Sequence, residues 1–234
     1  MTMRIVSWNI LQGGGKRAEN IAQALSDLAP DILILQEYRN NKGAATLLAA
    51  IDSLELEHRA ITEVTARKNT VLIASKFPIS TSVWAEDLDA ALAIRARIDF
   101  PSMNFDILAG HLPHKRAQRP YFEALLDDRA LIEKPAIIIG DLNCGIPFED
   151  SDTKTFDNTH MFQSLLKRGW TDSWRSRNPG AREFTWVSPR GNGYRYDHCL
   201  STASMDARIS VIGYEHQLRE SGLSDHSALF LDIA

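Results

Sequence analysis

Two apolar runs, Ile32-Leu33-Ile34-Leu35 and Ala136-Ile137-Ile138-Ile139, lack any polar alternation. Each predicts a strand buried on both faces, as in a sheet covered by helices. Before the first, residues 4–8 predict a short strand, and Gly13-Gly14-Gly15 breaks the chain. The spacing of Ala18, Ile21, Ala22, Leu25 and Leu28 predicts a helix that begins near Lys16 and is stopped by Pro30. A second helix is predicted over 43–53. Strand-like runs follow at 71–74, 80–84, 92–98 and 105–109, with Phe77-Pro78-Ile79 as a turn. One long helix is predicted over 118–132, closed by Pro135. Residues 145–158 read as an acidic loop, 160–167 as a short helix and 169–193 as irregular. The final strands are expected at 196–200, 207–213 and 228–233. Both halves hold an apolar strand, a helix and another apolar strand. This plan predicts two sheets packed face to face with helices outside, in one domain over 1–234.

Composition adds exclusions. Charged residues make up 24% of the 234 and the net charge is −4, which suits a soluble globular chain and not a uniformly basic nucleic-acid coat. No stretch approaches the ~18–20 apolar residues of a membrane span. The first nine residues have no signal-peptide core, so a cytoplasmic, membrane-free protein is expected, with a monomer as the default. Cys144 and Cys199 have no metal-site spacing and read as packing residues of a reducing compartment.

Chemistry gathers where the apolar runs stop. Trp8-Asn9, Gln36-Glu37, His111, Gly140-Asp141-Leu142-Asn143, Arg195-Tyr196-Asp197-His198 and Ser224-Asp225-His226 all sit at strand ends. Repeated polar clusters at one rim of a sheet are what an active site looks like, and this set suits metal-assisted cleavage of a phosphate ester. A hard cation, Mg²⁺ or Mn²⁺, takes oxygen ligands, so Glu37 is the first choice as ligand, with Asn9 and Asp225 near it. Asp141 and Asn143 alternate across a strand end and can orient a water or donate to a phosphate oxygen. His226 is the natural base, with Asp197 as the carboxylate that orients it. His111 can donate to the leaving group or the transition state, whereas His114 and His198 read as structural or peripheral.

Taken in order, Ser7-Trp8-Asn9, Leu35-Gln36-Glu37, Gly110-His111-Leu112-Pro113, Gly140-Asp141-Leu142-Asn143, Arg195-Tyr196-Asp197-His198 and Ser224-Asp225-His226 resemble the endonuclease/exonuclease/phosphatase superfamily. The resemblance implies a four-layer α/β/β/α sandwich of two mixed β-sheets flanked by helices, with the site at one end. It implies that Glu37, Asn9 and Asp225 hold Mg²⁺ or Mn²⁺, that Asp141 and Asn143 position nucleophile and phosphate, and that His226 with Asp197 activates water or braces the phosphate. Thr171 to Arg175, followed by Phe184-Thr185-Trp186, looks like the segment of exonuclease III-like enzymes that approaches DNA. Between Lys167 and Arg195 seven basic residues face two acidic ones, and arginines interleaved with tryptophans suit phosphates and stacked bases. Trp174, Arg175, Arg177 and Arg195 are therefore expected to bind substrate. AP endonucleases carry a tyrosine-containing turn where this chain has Gly110-His111-Leu112-Pro113. The expected activity is a metal-dependent phosphodiester hydrolase acting on DNA. The rivals are a phosphatase for a small or lipid-linked phosphate ester, and an inactive binding module.

Overall fold

The structure is a computed structural model that describes residues 2–62, 64–154 and 156–234. The main strands are β1 (Met3–Asn9), β2 (Ile32–Tyr38), β3 (His58–Ile61), β4 (Thr70–Ser75), β5 (Ile79–Ser82), β6 (Ala93–Phe100), β7 (Met103–His111) and β8 (Ala136–Asp141). They continue with β9 (Thr171–Asp172), β10 (Trp186–Val187), β11 (Gly193–Tyr194), β12 (Asp197–Ser201), β13 (Ile209–Glu215) and β14 (Ala228–Ile233). One sheet has the order β13-β14-β1-β2-β4-β3, the other β5-β6-β7-β8-β12-β9, and β10-β11 form a small separate ribbon. Among the described residues only β1–β2 and β7–β8 pair in parallel, so both sheets are mixed.

The unalternating strands are explained by burial on both faces. Ile32 and Ile34 enter the layer between the sheets with Ile5, Ile73, Ile107, Ile137 and Ile139. Leu33 and Leu35 point the other way, onto α1 (Ala18–Leu28) and α2 (Ala44–Ser53) through Ile21, Leu25, Leu47 and Ile51. On the second sheet Leu108 and Ile138 meet Phe122 of α3 (Arg119–Asp127), and also Leu131 of α4 (Arg129–Ile132) and Phe162 of α5 (Thr159–Lys167). The result is the helix–sheet–sheet–helix sandwich expected. Parallel pairing needs a crossover, and α1 and α3–α4 supply the two.

Differences from expectation are local. The long helix over 118–132 is broken at Asp128, which sits at ψ 71°, accepts from the Leu131 amide and pairs with Arg95 at 3.0 Å. Capping and ion pairing there outweigh continued helix. Residues 203–206 are helical, so β13 begins at Ile209 rather than 207. The strand β3 was not anticipated, since His58-Arg59-Ala60-Ile61 has only one buried residue.

One rim collects the ends that matter. β1, β2, β7 and β8 all finish at the same end of the sandwich, delivering Asn9, Glu37, His111 and Asp141. Gly140 makes this possible: it sits at φ 135°, and a Cβ there would lie 2.0 Å from the Gly110 carbonyl oxygen. No other residue type lets β7 and β8 run this close.

Candidate active site

Asn9 is the link between the two sheets. Its side-chain Nδ2 lies 3.1 Å from Asp141 Oδ2 and 3.4 Å from Glu37 Oε1, so one amide touches a carboxylate from each sheet. Its own Oδ1 is steadied by the Leu11 amide at 3.0 Å, and its carbonyl accepts from Ser224. Glu37 holds a left-handed backbone (φ 57°) where the β2–β4 register shifts between Leu35 and Tyr38. Such strain in a non-glycine residue persists only where its surroundings enforce it. The bulge turns the carboxylate into the cleft, where Oε2 accepts the Gln12 amide at 2.8 Å.

The second half of the site is a buried acid–imidazole group. His226 Nδ1 is 2.8 Å from Asp197 Oδ2, and its Nε2 is 3.6 Å from Asp141 Oδ2. His111 Nε2 lies 3.7 Å from the same Asp141 oxygen and 3.9 Å from Glu37 Oε1. These longer separations exceed hydrogen-bonding distance, so the groups face one another across a gap that a water or phosphate oxygen can bridge. Burial works against a charge on His226, but the Asp197 and Asp141 carboxylates overcome it and raise its pKa to about 10. Burial likewise raises the pKa of Asp141. The Asp197 and Asp141 carboxylates therefore favour the charged imidazole, and Asp141 holds a proton more readily than an ordinary aspartate.

Asp225 is tied to Trp186. Its Oδ2 accepts from Trp186 Nε1 at 3.0 Å, while Oδ1 is buried without a hydrogen-bond partner among the described residues. Asn143 is buried and also left-handed (φ 47°), with its backbone amide on Asp141 Oδ1 and one amide hydrogen on the Leu112 carbonyl at 2.8 Å. It braces the loop after His111 as well as the Asp141 carboxylate. His114 proves nearer than its peripheral reading suggested, since Asp141, His111 and His226 all act on its charge.

The four residues expected to bind substrate are not brought to this rim as free groups. Arg195 is fully buried, with its guanidinium committed to Asp150 at 2.8 Å and to Asp172 at 2.6 and 3.1 Å. Trp174 is buried beneath Arg195 and Arg175. Arg175 pairs with Asp150 and Arg177 with Asp206, each at 2.8 Å. Arg182 pairs with Asp152. Arg175, Arg182 and Arg195 are thus matched by Asp150 and Asp152 of the acidic loop, and the arginines expected to bind substrate are held by carboxylates of the chain itself. His198 is structural as read, its Nε2 lying 2.8 Å from the Cys144 carbonyl. Both cysteines are buried, and burial pushes each thiol up to about 12.

Several supports were not singled out from sequence. Thr185 Oγ1 accepts the Tyr196 and Asp197 amides, and Trp8 Nε1 donates to the His226 carbonyl. Trp186, part of the segment that resembles a DNA-approaching one, donates its Nε1–H to Asp225. The signal was its place in Phe184-Thr185-Trp186, which alone does not separate packing from hydrogen bonding.

The model of the Endonuclease/Exonuclease/phosphatase family matches residues 6–226. The chain belongs to this family. Its members' chemistry makes the protein a hydrolase of phosphate ester bonds. Among solved structures, it is similar to the 3′ phosphatase NExo from Neisseria bound to product DNA hairpin (21% identity, 99% of both chains, TM-score 0.83). It is also similar to an AP endonuclease from Archaeoglobus fulgidus (21%, 98% of both chains, TM-score 0.80). A third is the 3′-5′ exonuclease NExo from Neisseria meningitidis (21%, 99% of both chains, TM-score 0.79). These likenesses establish the sandwich fold of the family. No curated protein matches the sequence.

A divalent cation fits the residues present. Glu37 and Asp225 offer hard carboxylate oxygens, and the unpartnered buried Oδ1 of Asp225 is the kind of atom a cation satisfies. Asp141, Asp197 and His226 also place one ligand atom each within 4.8 Å of one another. However, His226 Nδ1 is already joined to Asp197, which favours an acid–base role for that group.

Proposed function

We propose that the protein is a divalent-metal-dependent phosphodiesterase that cleaves DNA as a single domain. Glu37 and Asp225, with Asn9 beside them, would hold Mg²⁺ or Mn²⁺. Bound there, the cation supplies neutralising charge to the phosphate and the leaving oxygen. The observation that carries the reading is Asn9 joining Glu37 on one sheet to Asp141 on the other. Ligand site and acid–base group then adjoin, with His111 Nε2 and His226 Nε2 3.7 and 3.6 Å from Asp141 Oδ2.

The chain's own residues do the rest. Asp141, whose proton affinity is raised, orients the attacking water and takes its proton. His226, charged and held by Asp197, donates Nε2–H to a phosphate oxygen. His111 stands within reach of the leaving oxygen, and Asn143 keeps its loop and Asp141 in place.

Glu37→Ala and His226→Ala should each lower metal-dependent turnover of DNA by ~10²–10⁴-fold while melting temperature stays within a few degrees. Turnover within a few-fold of wild type in both variants refutes the assignment. A second reading, hydrolysis of a small phosphate ester, is favoured by the ion pairs that hold Arg175, Arg177, Arg182 and Arg195 on the chain's own carboxylates. Salt separates them: a nuclease contacting several DNA phosphates loses affinity steeply with log salt. A flat slope supports the small ester.

A further inference from the structure

The cleft does not end at His111. The His111 amide donates to the Leu92 carbonyl at 2.8 Å, and Ala93 pairs with Gly110, so the start of β6 borders the site. On the far side of that border, at the same end of the sandwich, a cavity of about 280 Å³ opens between the ends of β3 and β5 and the loop before β6. Its walls include Trp84, Leu88, Ile94 and Tyr121. Ile61 and Val83 also line it, 42% and 76% exposed, among the few large apolar side chains left to solvent. The Trp84 and Tyr121 rings lie 6.4 Å apart, tilted by 37°.

Charge decides what this cavity takes. Arg95 on its wall is spent on Asp106 and Asp128, and Asp89 is matched by Lys68 at 2.9 Å. Among the described residues that line it, no unpaired charge is offered to a phosphate. Hydroxyls are: Thr81 and Ser82 line the exposed side. Aromatic walls with neutral hydrogen-bonding groups suit a flat heteroaromatic ring better than a phosphate or an alkyl chain. The volume is near the lower end of the ~300–1,000 Å³ range for ligand pockets, enough for one ring system.

We propose that this cavity is a base-binding subsite that takes one unpaired nucleobase of the strand whose phosphate lies between Asp141 and His226. The inference rests on the DNA-hydrolase reading and deepens it. A base held there is out of the helix stack, so single strands and frayed ends are preferred over intact duplex.

The test uses a single-stranded oligonucleotide carrying 2-aminopurine, titrated with protein in chelator so that nothing is cleaved. Wild type and Trp84→Phe should quench the fluorescence by stacking. Trp84→Ala and Ala90→Phe should not; the second obstructs the cavity from an exposed position without removing packing. With metal, the same two variants should raise KM on single-stranded DNA by at least about five-fold. Their KM on a strand whose bases are replaced by abasic spacers should stay unchanged, with circular dichroism confirming the fold. No quenching by wild type, or equal quenching by Ala90→Phe, overturns the subsite even if DNA is hydrolysed. The expected quenching pattern with no DNA hydrolysis under any metal keeps the subsite and removes the nuclease reading.

Discussion

Arg195 provides the sharpest test of how the loops around the site are held. Its guanidinium is fully buried and makes three bonds to two carboxylates, Asp150 and Asp172. Burial alone would lower its pKa, but Asp172 and Asp150 drive it well above the ordinary value. Arg195→Met keeps the approximate length and removes the charge, leaving both acids buried. Breaking one half of a buried pair costs ~3–5 kcal/mol. Here Asp150 keeps Arg175 at 2.8 Å and Asp172 keeps its bond from the Arg175 amide at 3.0 Å, so the low end, ~3 kcal/mol, is expected. For a chain of this size that lowers the melting temperature by about 6–12 °C. Adding Asp172→Asn should recover part of the loss, because one unmatched charge is removed. Urea and thermal unfolding measure both, with DNA affinity read at a temperature where the variant is folded. A loss below ~1 kcal/mol, or unchanged stability with weakened DNA binding, would refute the buried-strut account and restore Arg195 as a substrate contact.

Further outcomes follow from other parts of the structure. The pKa values of Asp150 and Asp172 are depressed: burial opposes their charge, but Arg195 outweighs it. A depressed folded pKa adds stability that is complete above the unfolded value of ~3.9 and is lost as pH falls through the folded one. The urea midpoint should therefore drop below about pH 4, with a shallower drop in Asp172→Asn; equal pH dependence counts against it. Asp197→Asn removes the largest influence raising His226, so its imidazole should titrate well below the wild-type value of about 10 in metal-free protein, as followed by ring-proton NMR. An unmoved titration would place the cause elsewhere. Gly140→Ala forces a Cβ to within 2.0 Å of the Gly110 oxygen at a positive φ, and should cost at least ~3 kcal/mol and separate His111 from Asp141. Wild-type melting and turnover in that variant would contradict the close strand approach.

Much of the architecture was legible because burial is written in the apolar runs. Ile32 to Leu35 and Ala136 to Ile139 could be placed between two layers without knowing their neighbours. The rim residues were legible because Asn9, Glu37, His111 and Asp141 each interrupt such a run at its end. What escaped was pairing. Nothing local in Arg175 or Arg195 says that Asp150, up to 45 positions earlier, is its partner, so a count of charge along 167–195 overstated the free positive surface. The break at Asp128 escaped for the same reason, since Arg95 is remote in sequence. Protonation of His226 depends on two carboxylates from other strands, and no ordinary pKa carries that.

The placement of β1 between β2 and β14 has a consequence for how activity first appears. A nascent polypeptide that has released Asn9, Glu37 and Asp141 from the ribosome still lacks the strand that flanks β1, and with it Asp225 and His226. Until that distant segment emerges and pairs alongside Met3–Ser7, the rim lacks two of its polar side chains, so the candidate site comes together only after β14 has joined the sheet.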